Sequence, residues 1–82
     1  MIKVKFFAQL RERLNCSELN VDLNSSVTVD WLVKQLSETD QNWADCLKKD
    51  TVLVAVNQTL CGFNDQINDG DEVALFPPVT GG

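Results

Sequence analysis

The most informative stretch of this chain is its last eleven residues, Glu72-Val73-Ala74-Leu75-Phe76-Pro77-Pro78-Val79-Thr80-Gly81-Gly82. The first five form a strand-like apolar run. The two prolines must end that strand, because proline cannot donate a backbone N–H to a sheet and holds φ near about −65°. We therefore expect residues 77–82 to leave the sheet as an extended, flexible tail that reaches roughly 20 Å at about 3.3 Å per residue.

The tail ends in two glycines, Gly81 and Gly82. Because glycine has no Cβ, this end can enter a channel that is too narrow for any side chain and present its α-carboxylate there. A carboxylate presented in this way is a natural substrate for activation by ATP. The alternative is an ordinary frayed terminus, since chain ends are often mobile.

The length and the net charge of the chain restrict how many domains it can form and which partners it can bind. With 82 residues the chain has room for one modest core, and we predict one domain over residues 1–76 followed by the tail over 77–82. Seven basic and twelve acidic residues give a net charge of −5 without a basic cluster. Such a surface disfavours nucleic acid and anionic membranes, and it suits a basic protein partner. No long apolar segment and no signal peptide are found, so we expect a cytoplasmic protein.

The three cysteines are Cys16, Cys46 and Cys61. Their odd number and irregular spacing argue against a disulfide framework, and the absence of histidine and of a C-x-x-C pair argues against zinc. An iron–sulfur cluster is also disfavoured, because it would need four cysteine ligands and the chain has three cysteines. Cys61 could carry a persulfide, but the favoured interpretation is that Cys61 is a small hydrophobic residue buried in the core.

Periodicity predicts the order of the elements. Alternating apolar residues indicate paired strands at 2–6 and 19–23, with a short helix between them that turns Ala8, Leu10 and Leu14 toward the core. Thr28 can cap a main helix whose apolar residues recur at 29, 32, 33 and 36, and a short helical turn follows around Trp43.

The second half of the chain is predicted to be mostly strands. The continuous apolar run 52–56 is typical of a strand that is buried on both faces. Asn57-Gln58 is a plausible tight turn into a strand at 59–61, and Asn68-Asp69-Gly70-Asp71 is a turn before the last strand.

This order predicts an α+β fold, the ubiquitin-like β-grasp, in which a mixed sheet of about five strands packs on one main helix. In that fold the first and last strands lie parallel at the centre of the sheet. Phe7 and Phe76 then lie at the same end, on the side of the sheet that faces away from the core. Two exposed aromatic side chains at the base of the tail would form an apolar docking patch. The alternative is that a short helix or the tail covers them.

Several segments together resemble the small subunits of molybdopterin synthases. They are Met1-Ile2-Lys3-Val4, Phe6-Phe7-Ala8-Gln9-Leu10-Arg11-Glu12, Val54-Ala55-Val56-Asn57-Gln58-Thr59-Leu60, Asp69-Gly70-Asp71-Glu72-Val73-Ala74 and Phe76-Pro77-Pro78-Val79-Thr80-Gly81-Gly82. The resemblance spans the whole chain, although residues 15–50 are generic and contribute only length and the helix.

The resemblance implies a sulfur carrier subunit of an enzyme that makes the molybdenum cofactor. An E1-like enzyme would use ATP to adenylate Gly82, and a sulfur donor protein would convert the acyl-adenylate to a thiocarboxylate. The tail would then enter the large catalytic subunit and give its sulfur to cyclic pyranopterin monophosphate, which forms the molybdopterin dithiolene. The resemblance further implies a heterotetramer of two small and two large subunits. It implies no bound cofactor or metal and no catalytic side chain on this chain.

The site residues implied by the resemblance fall into three groups. Gly82 is the reactive terminus. The inserted tail comprises Gly81, Thr80, Val79, Pro78 and Pro77. The residues that match the docking surface for the partner are Phe7, Arg11, Leu60 and Phe76, although Arg11 could equally be a solvated helix residue.

Three alternative functions stay open. A sulfur carrier for thiamine synthesis shares the fold and the Gly-Gly ending. A ubiquitin-like modifier would join Gly82 to lysines of other proteins through an isopeptide bond. An interaction module with an inert tail would keep its activity without Gly81 and Gly82.

Overall fold

The structure is a computed structural model that describes residues 1–48 and 51–78. Its helices and strands follow in this order: β1 Ile2–Phe6, α1 Ala8–Leu14, β2 Glu18–Val21, β3 Val27–Thr28, α2 Val29–Ser37, α3 Gln41–Cys46, β4 Leu53–Val56, β5 Thr59–Cys61, β6 Gln66–Ile67 and β7 Glu72–Phe76. None of the helices described is long and apolar enough to cross a membrane.

Five strands form one mixed sheet in the order β2-β1-β7-β4-β5. Strand β1 pairs in parallel with the last strand, β7, and the other neighbours are antiparallel. The prediction that the first and last strands lie side by side in the middle of the sheet is therefore confirmed. The α+β architecture is the ubiquitin-like β-grasp.

The core lies between the inner face of this sheet and the helices. The strands supply alternate buried residues, as their sequence pattern predicts, and Phe6 in β1 is 1% exposed. The ring of Trp43, from α3, meets the Phe6 ring edge-on with centroids 5.4 Å apart. Aromatic pairs favour this arrangement because the positive edge of one ring meets the negative face of the other. Among the described residues, this core cluster also contains Ile2, Val4, Leu10, Leu14, Val29, Leu32, Val33, Leu36, Cys46, Leu47, Val52, Val54, Ile67, Val73 and Leu75.

Helix α2 is the main helix, as predicted. The hydroxyl of Thr28 accepts a hydrogen bond from the Trp31 N–H at 3.1 Å, which confirms Thr28 as its N-cap. Asp30 lies in the first turn, where a negative charge is favourable near the positive end of the helix dipole. The helix buries Val29, Leu32, Val33 and Leu36 against the sheet.

Both predicted turns are present. Asn57 and Gln58 have φ of 51° and 71°, the left-handed pair that joins antiparallel strands in a two-residue hairpin. Gly70 has φ of 91°, a conformation for which glycine is suited because it has no Cβ. Asp71 ties this second turn to the hairpin, since its carboxylate accepts from the Asn68 N–H at 2.8 Å and from the Asn57 side-chain amide at 3.0 Å.

Three local predictions are wrong, and one feature of the structure was not predicted. Ala8 is exposed and does not face the core, because its φ of 55° turns it out of the pattern that Leu10 and Leu14 follow. Leu53 is 36% exposed, so the apolar run 52–56 is not buried on both faces throughout. Strand β2 ends at Val21, before Leu23. A second sheet, formed by β3 and β6, was not predicted, since strands of two residues carry no readable periodicity.

Candidate functional site

The outer face of the sheet, which points away from the core, holds three of the four predicted docking residues, and the fourth, Arg11, lies in helix α1. Strand register determines which side chains share this face, because directly paired residues project to the same side. Phe76 in β7 is paired with Leu53 in β4, and Ala55, two residues further along β4, is paired with both Ala74 and Leu60. The buried neighbours of these residues, such as Leu75 and Val54, point to the opposite face.

Four large apolar side chains on this face form what we call the apolar patch: Phe7, Leu53, Leu60 and Phe76. Leu60 is 66% exposed, Phe7 44% and Leu53 36%, and Phe76 is half-buried. Phe7 joins the patch because β1 and β7 are in parallel register up to Phe6 and Leu75, and the Phe7 N–H donates to the Leu75 carbonyl at 3.1 Å. The outward parity predicted for Phe7 and Phe76 agrees with the structure, which places Leu60 on the same face, and the docking role of all three stays a prediction.

The apolar patch adjoins the point at which the chain leaves the sheet. Strand β7 ends at Phe76, Pro77 is half-buried and Pro78 is exposed. The other predicted tail residues, Val79, Thr80, Gly81 and Gly82, lie outside the described residues. Any partner that covers the patch therefore also lies at the base of the chain's C-terminal segment.

Charged pairs border the patch on the same face. The ammonium of Lys5 lies 3.1 Å from the Glu72 carboxylate, and that of Lys3 lies 3.7 Å from the Glu18 carboxylate. These side chains are a third to half exposed, so the pairs contribute little to stability. They mark the polar edge of a surface whose centre is apolar, the arrangement common in protein interfaces.

Arg11 lies in α1, four residues after Phe7, and is exposed. Within residues 1–48 and 51–78 the guanidinium of Arg11 makes no ion pair. An exposed cation without a local counter-charge can pair with a carboxylate on a partner, and its docking role stays a prediction.

Leu53 is the patch residue that the sequence reasoning missed. It was assigned to a strand buried on both faces, yet it lies opposite Phe76 on the outer face. The signal was present in the register, because Leu53 and Ala55 share the parity of Leu60 once the hairpin turn is placed at Asn57-Gln58. A count of hydrophobic residues alone could not reveal it.

The cysteines do not form a reactive centre. All three are free, and Cys46 is buried. Burial raises the pKa of the Cys61 thiol, and the nearby Asp65 carboxylate raises that pKa further, so less of it is thiolate at neutral pH. Because the thiolate is the nucleophile, Cys61 is poorly suited to carry a persulfide. Its thiol instead lies 3.7 Å from the Val54 carbonyl beside the core.

A conventional active site is not found in the part of the chain that the structure describes. That part contains no cavity able to enclose a small molecule and no group of histidine, cysteine and carboxylate residues that could hold a metal ion. The candidate site is therefore a surface, the apolar patch, at the end of β7.

Comparison with known proteins agrees with this description. The model of the ThiS family matches residues 4–82. The chain is 46% identical to the molybdopterin synthase sulfur carrier subunit of Escherichia coli, over the full length of both. Small archaeal modifier protein 1 of Haloferax volcanii superimposes with a TM-score of 0.77 at 27% identity, over 95% of this chain and 97% of that one.

A third similar structure is a protein–protein complex. It contains subunits 1 and 2 of the molybdopterin-converting factor of Helicobacter pylori, and one of its chains matches with a TM-score of 0.69 at 27% identity, over 99% of this chain and 97% of that chain. The family model, the sequence identity over the full length and the similarity of the fold all indicate the same family. The chain therefore belongs to the ThiS family, alongside the molybdopterin synthase sulfur carrier subunits.

Proposed function

We propose that this protein is the sulfur carrier subunit of a molybdopterin synthase and that its C-terminal Gly82 carries the sulfur as a thiocarboxylate. The observation that carries the proposal is the exposed apolar patch at the end of β7, from which the Pro77-Pro78 segment departs toward a Gly-Gly terminus. Full-length identity to a curated sulfur carrier subunit supports it.

The chemistry needs a terminus and no side chain. An oxygen of the Gly82 carboxylate attacks the α-phosphorus of ATP, and pyrophosphate leaves, which gives an acyl-adenylate. Sulfur at the oxidation level of sulfide, HS⁻, then attacks the activated carbonyl carbon and displaces AMP, so that one oxygen is replaced by sulfur. The thiocarboxylate is a nucleophile that can attack cyclic pyranopterin monophosphate, and two such transfers supply the two sulfurs of the dithiolene. The carrier returns with its carboxylate restored by water.

Other proteins must supply the catalytic groups. We propose that an E1-like enzyme binds the ATP, that a sulfur donor protein delivers the sulfur, and that a large catalytic subunit holds the pterin substrate. The structure of subunits 1 and 2 of the Helicobacter pylori factor supports a partner of this kind. A heterotetramer of two small and two large subunits is the expected assembly. Tethering Gly82 in the partner's site would raise its effective concentration beside the substrate.

Intact-mass spectrometry tests the carrier chemistry. The purified chain is incubated with ATP, an E1-like activating enzyme and a sulfide source, beside a variant that lacks Gly82. We expect the full chain, and not the variant, to gain the mass of sulfur for oxygen at its last residue. No gain under conditions that thiolate a known sulfur carrier would contradict the proposal.

A second function is favoured by the similarity to small archaeal modifier protein 1. In a ubiquitin-like modifier the same acyl-adenylate would end in an isopeptide bond to a lysine. The two outcomes differ in product: a modifier gives higher-mass conjugates with branched peptides that end in Gly82, whereas a carrier gives a free chain with one sulfur.

A further inference from the structure

The junction between β1 and α1 has an unusual backbone. Phe7 is still extended, with φ of −125° and ψ of 156°, and its N–H donates to the Leu75 carbonyl at 3.1 Å. Its carbonyl accepts from the Leu10 N–H at 3.2 Å. Phe7 is thus held on one side by the sheet and on the other by the first turn of the helix.

Phe7 also occupies the N-cap position of α1, where its side chain makes no capping hydrogen bond. Serine, threonine, aspartate and asparagine are preferred at this position because their oxygen satisfies an unpaired N–H of the first turn. Phenylalanine cannot do so. The ring instead lies in the apolar patch, 44% exposed to solvent.

Ala8, the next residue, has φ of 55°. Residues with a Cβ rarely adopt a positive φ because the Cβ approaches the carbonyl oxygen, and glycine or asparagine is usual there. Packing does not require alanine at this position, since the residue is exposed. Two locally unfavourable features therefore occur at adjacent residues next to the patch: Phe7 leaves the helix without a side-chain cap, and Ala8 has a left-handed backbone.

We propose that Ala8 is a positioning residue for the docking surface. Its left-handed backbone turns the chain from β1 into α1 in one residue, so that Phe7 keeps its sheet hydrogen bond and its ring stays on the outer face. A right-handed φ would rotate the chain after Phe7 by about 120°. The bonds from Phe7 to Leu75 and Leu10 could then not both be kept. The docking part of this inference depends on the proposed function.

The first experiment uses the free protein and needs no partner. Ala8→Val disfavours the positive φ because valine is β-branched, Ala8→Gly accepts it, and Asn15→Val is the matched control. Asn15 also has a left-handed φ, 53°, but at the other end of α1. We expect Ala8→Val to accelerate hydrogen exchange of the Phe7 amide by about tenfold or more relative to both other variants, the size of effect that a left-handed strain energy produces.

The second experiment measures the affinity of each variant for the large synthase subunit by titration calorimetry. We expect Ala8→Val to bind about tenfold or more weakly, and Ala8→Gly and Asn15→Val to remain within about twofold of the unchanged chain. If Ala8→Val does not fold, Ala8→Thr replaces it, since threonine is also β-branched and its hydroxyl suits an exposed position.

The inference would be overturned if Ala8→Val and Asn15→Val showed the same hydrogen-exchange rate at the Phe7 amide and the same affinity for the large subunit. The left-handed backbone of Ala8 would then affect only the stability of the chain. Failure of the unchanged chain to bind the large subunit would instead overturn the proposed function. The exchange experiment would still decide whether Ala8 holds Phe7 in place.

Discussion

Leu60 provides the most quantitative test of the apolar patch. Its side chain is 66% exposed in the free chain, the largest exposure among the four patch residues. Complete burial of a leucine side chain contributes roughly 1.5–3 kcal/mol. If a partner covers the exposed two-thirds, burial of Leu60 should contribute about 1–2 kcal/mol to binding. Leu60→Ala should remove most of this contribution, which corresponds to roughly a 5- to 30-fold higher Kd.

Titration calorimetry of the variant with the large synthase subunit measures this change. Because Leu60 packs little in the free chain, Leu60→Ala should change the free energy of unfolding of the chain by less than about 0.5 kcal/mol. Thr59→Ala is the matched control, an exposed neighbour on the same strand, paired with Val56 and not with a patch residue. A Kd for Leu60→Ala within about twofold of the control would refute the reasoning, because the most exposed patch residue would then lie outside the interface.

Three further predictions follow from the same structure. Deletion of Gly82 should abolish thiocarboxylation while leaving the thermal midpoint unchanged, since the core ends with β7; a large drop in the midpoint would contradict this. Phe7→Asp should weaken partner binding, because it replaces an apolar ring of the patch with a charged carboxylate; titration calorimetry measures the change, and a variant that binds normally would exclude Phe7 from the interface. The pKa of Asp71 is held below its ordinary value of 3.8, mainly by the hydrogen bond from the Asn68 N–H and to a smaller extent by that from the Asn57 amide. The contribution of Asp71 to folding stability is therefore present above pH 3.8 and is lost as the pH falls through the lowered pKa. Asp71→Asn should therefore reduce stability at pH 7 and flatten the acid limb of a plot of urea midpoint against pH, and an unchanged acid limb would show that Asp71 does not produce it.

The sequence was sufficient to predict the five strands of the main sheet and the main helix. Alternation in 2–6 and a 3.6-residue repeat after Thr28 are strong signals, because each element buries one side against the same core. The pair β3 and β6 could not be predicted, since two-residue strands form where the segment before α2 happens to pass the segment after β5. That contact depends on the completed tertiary fold.

The candidate site was predictable to a similar degree. The outward parity of Phe7 and Phe76 followed from the strand pattern, and the family resemblance added Leu60. Leu53 was missed because an apolar run looks the same whether one face or both are buried, and its outer position follows only once the strand is placed in register with Leu60 and Phe76. The φ of Ala8 was also unreadable, because alanine at this position gives no sequence signal for a left-handed backbone.

The most direct test of the account is a single-turnover sulfur transfer. The chain, thiocarboxylated at Gly82, is mixed with the large subunit and cyclic pyranopterin monophosphate, and protein mass and pterin product are followed together. We predict that the chain returns to its carboxylate mass and that two chains are consumed for each dithiolene formed. A chain that keeps its sulfur, or that appears as lysine-linked conjugates while no dithiolene forms, would contradict the account.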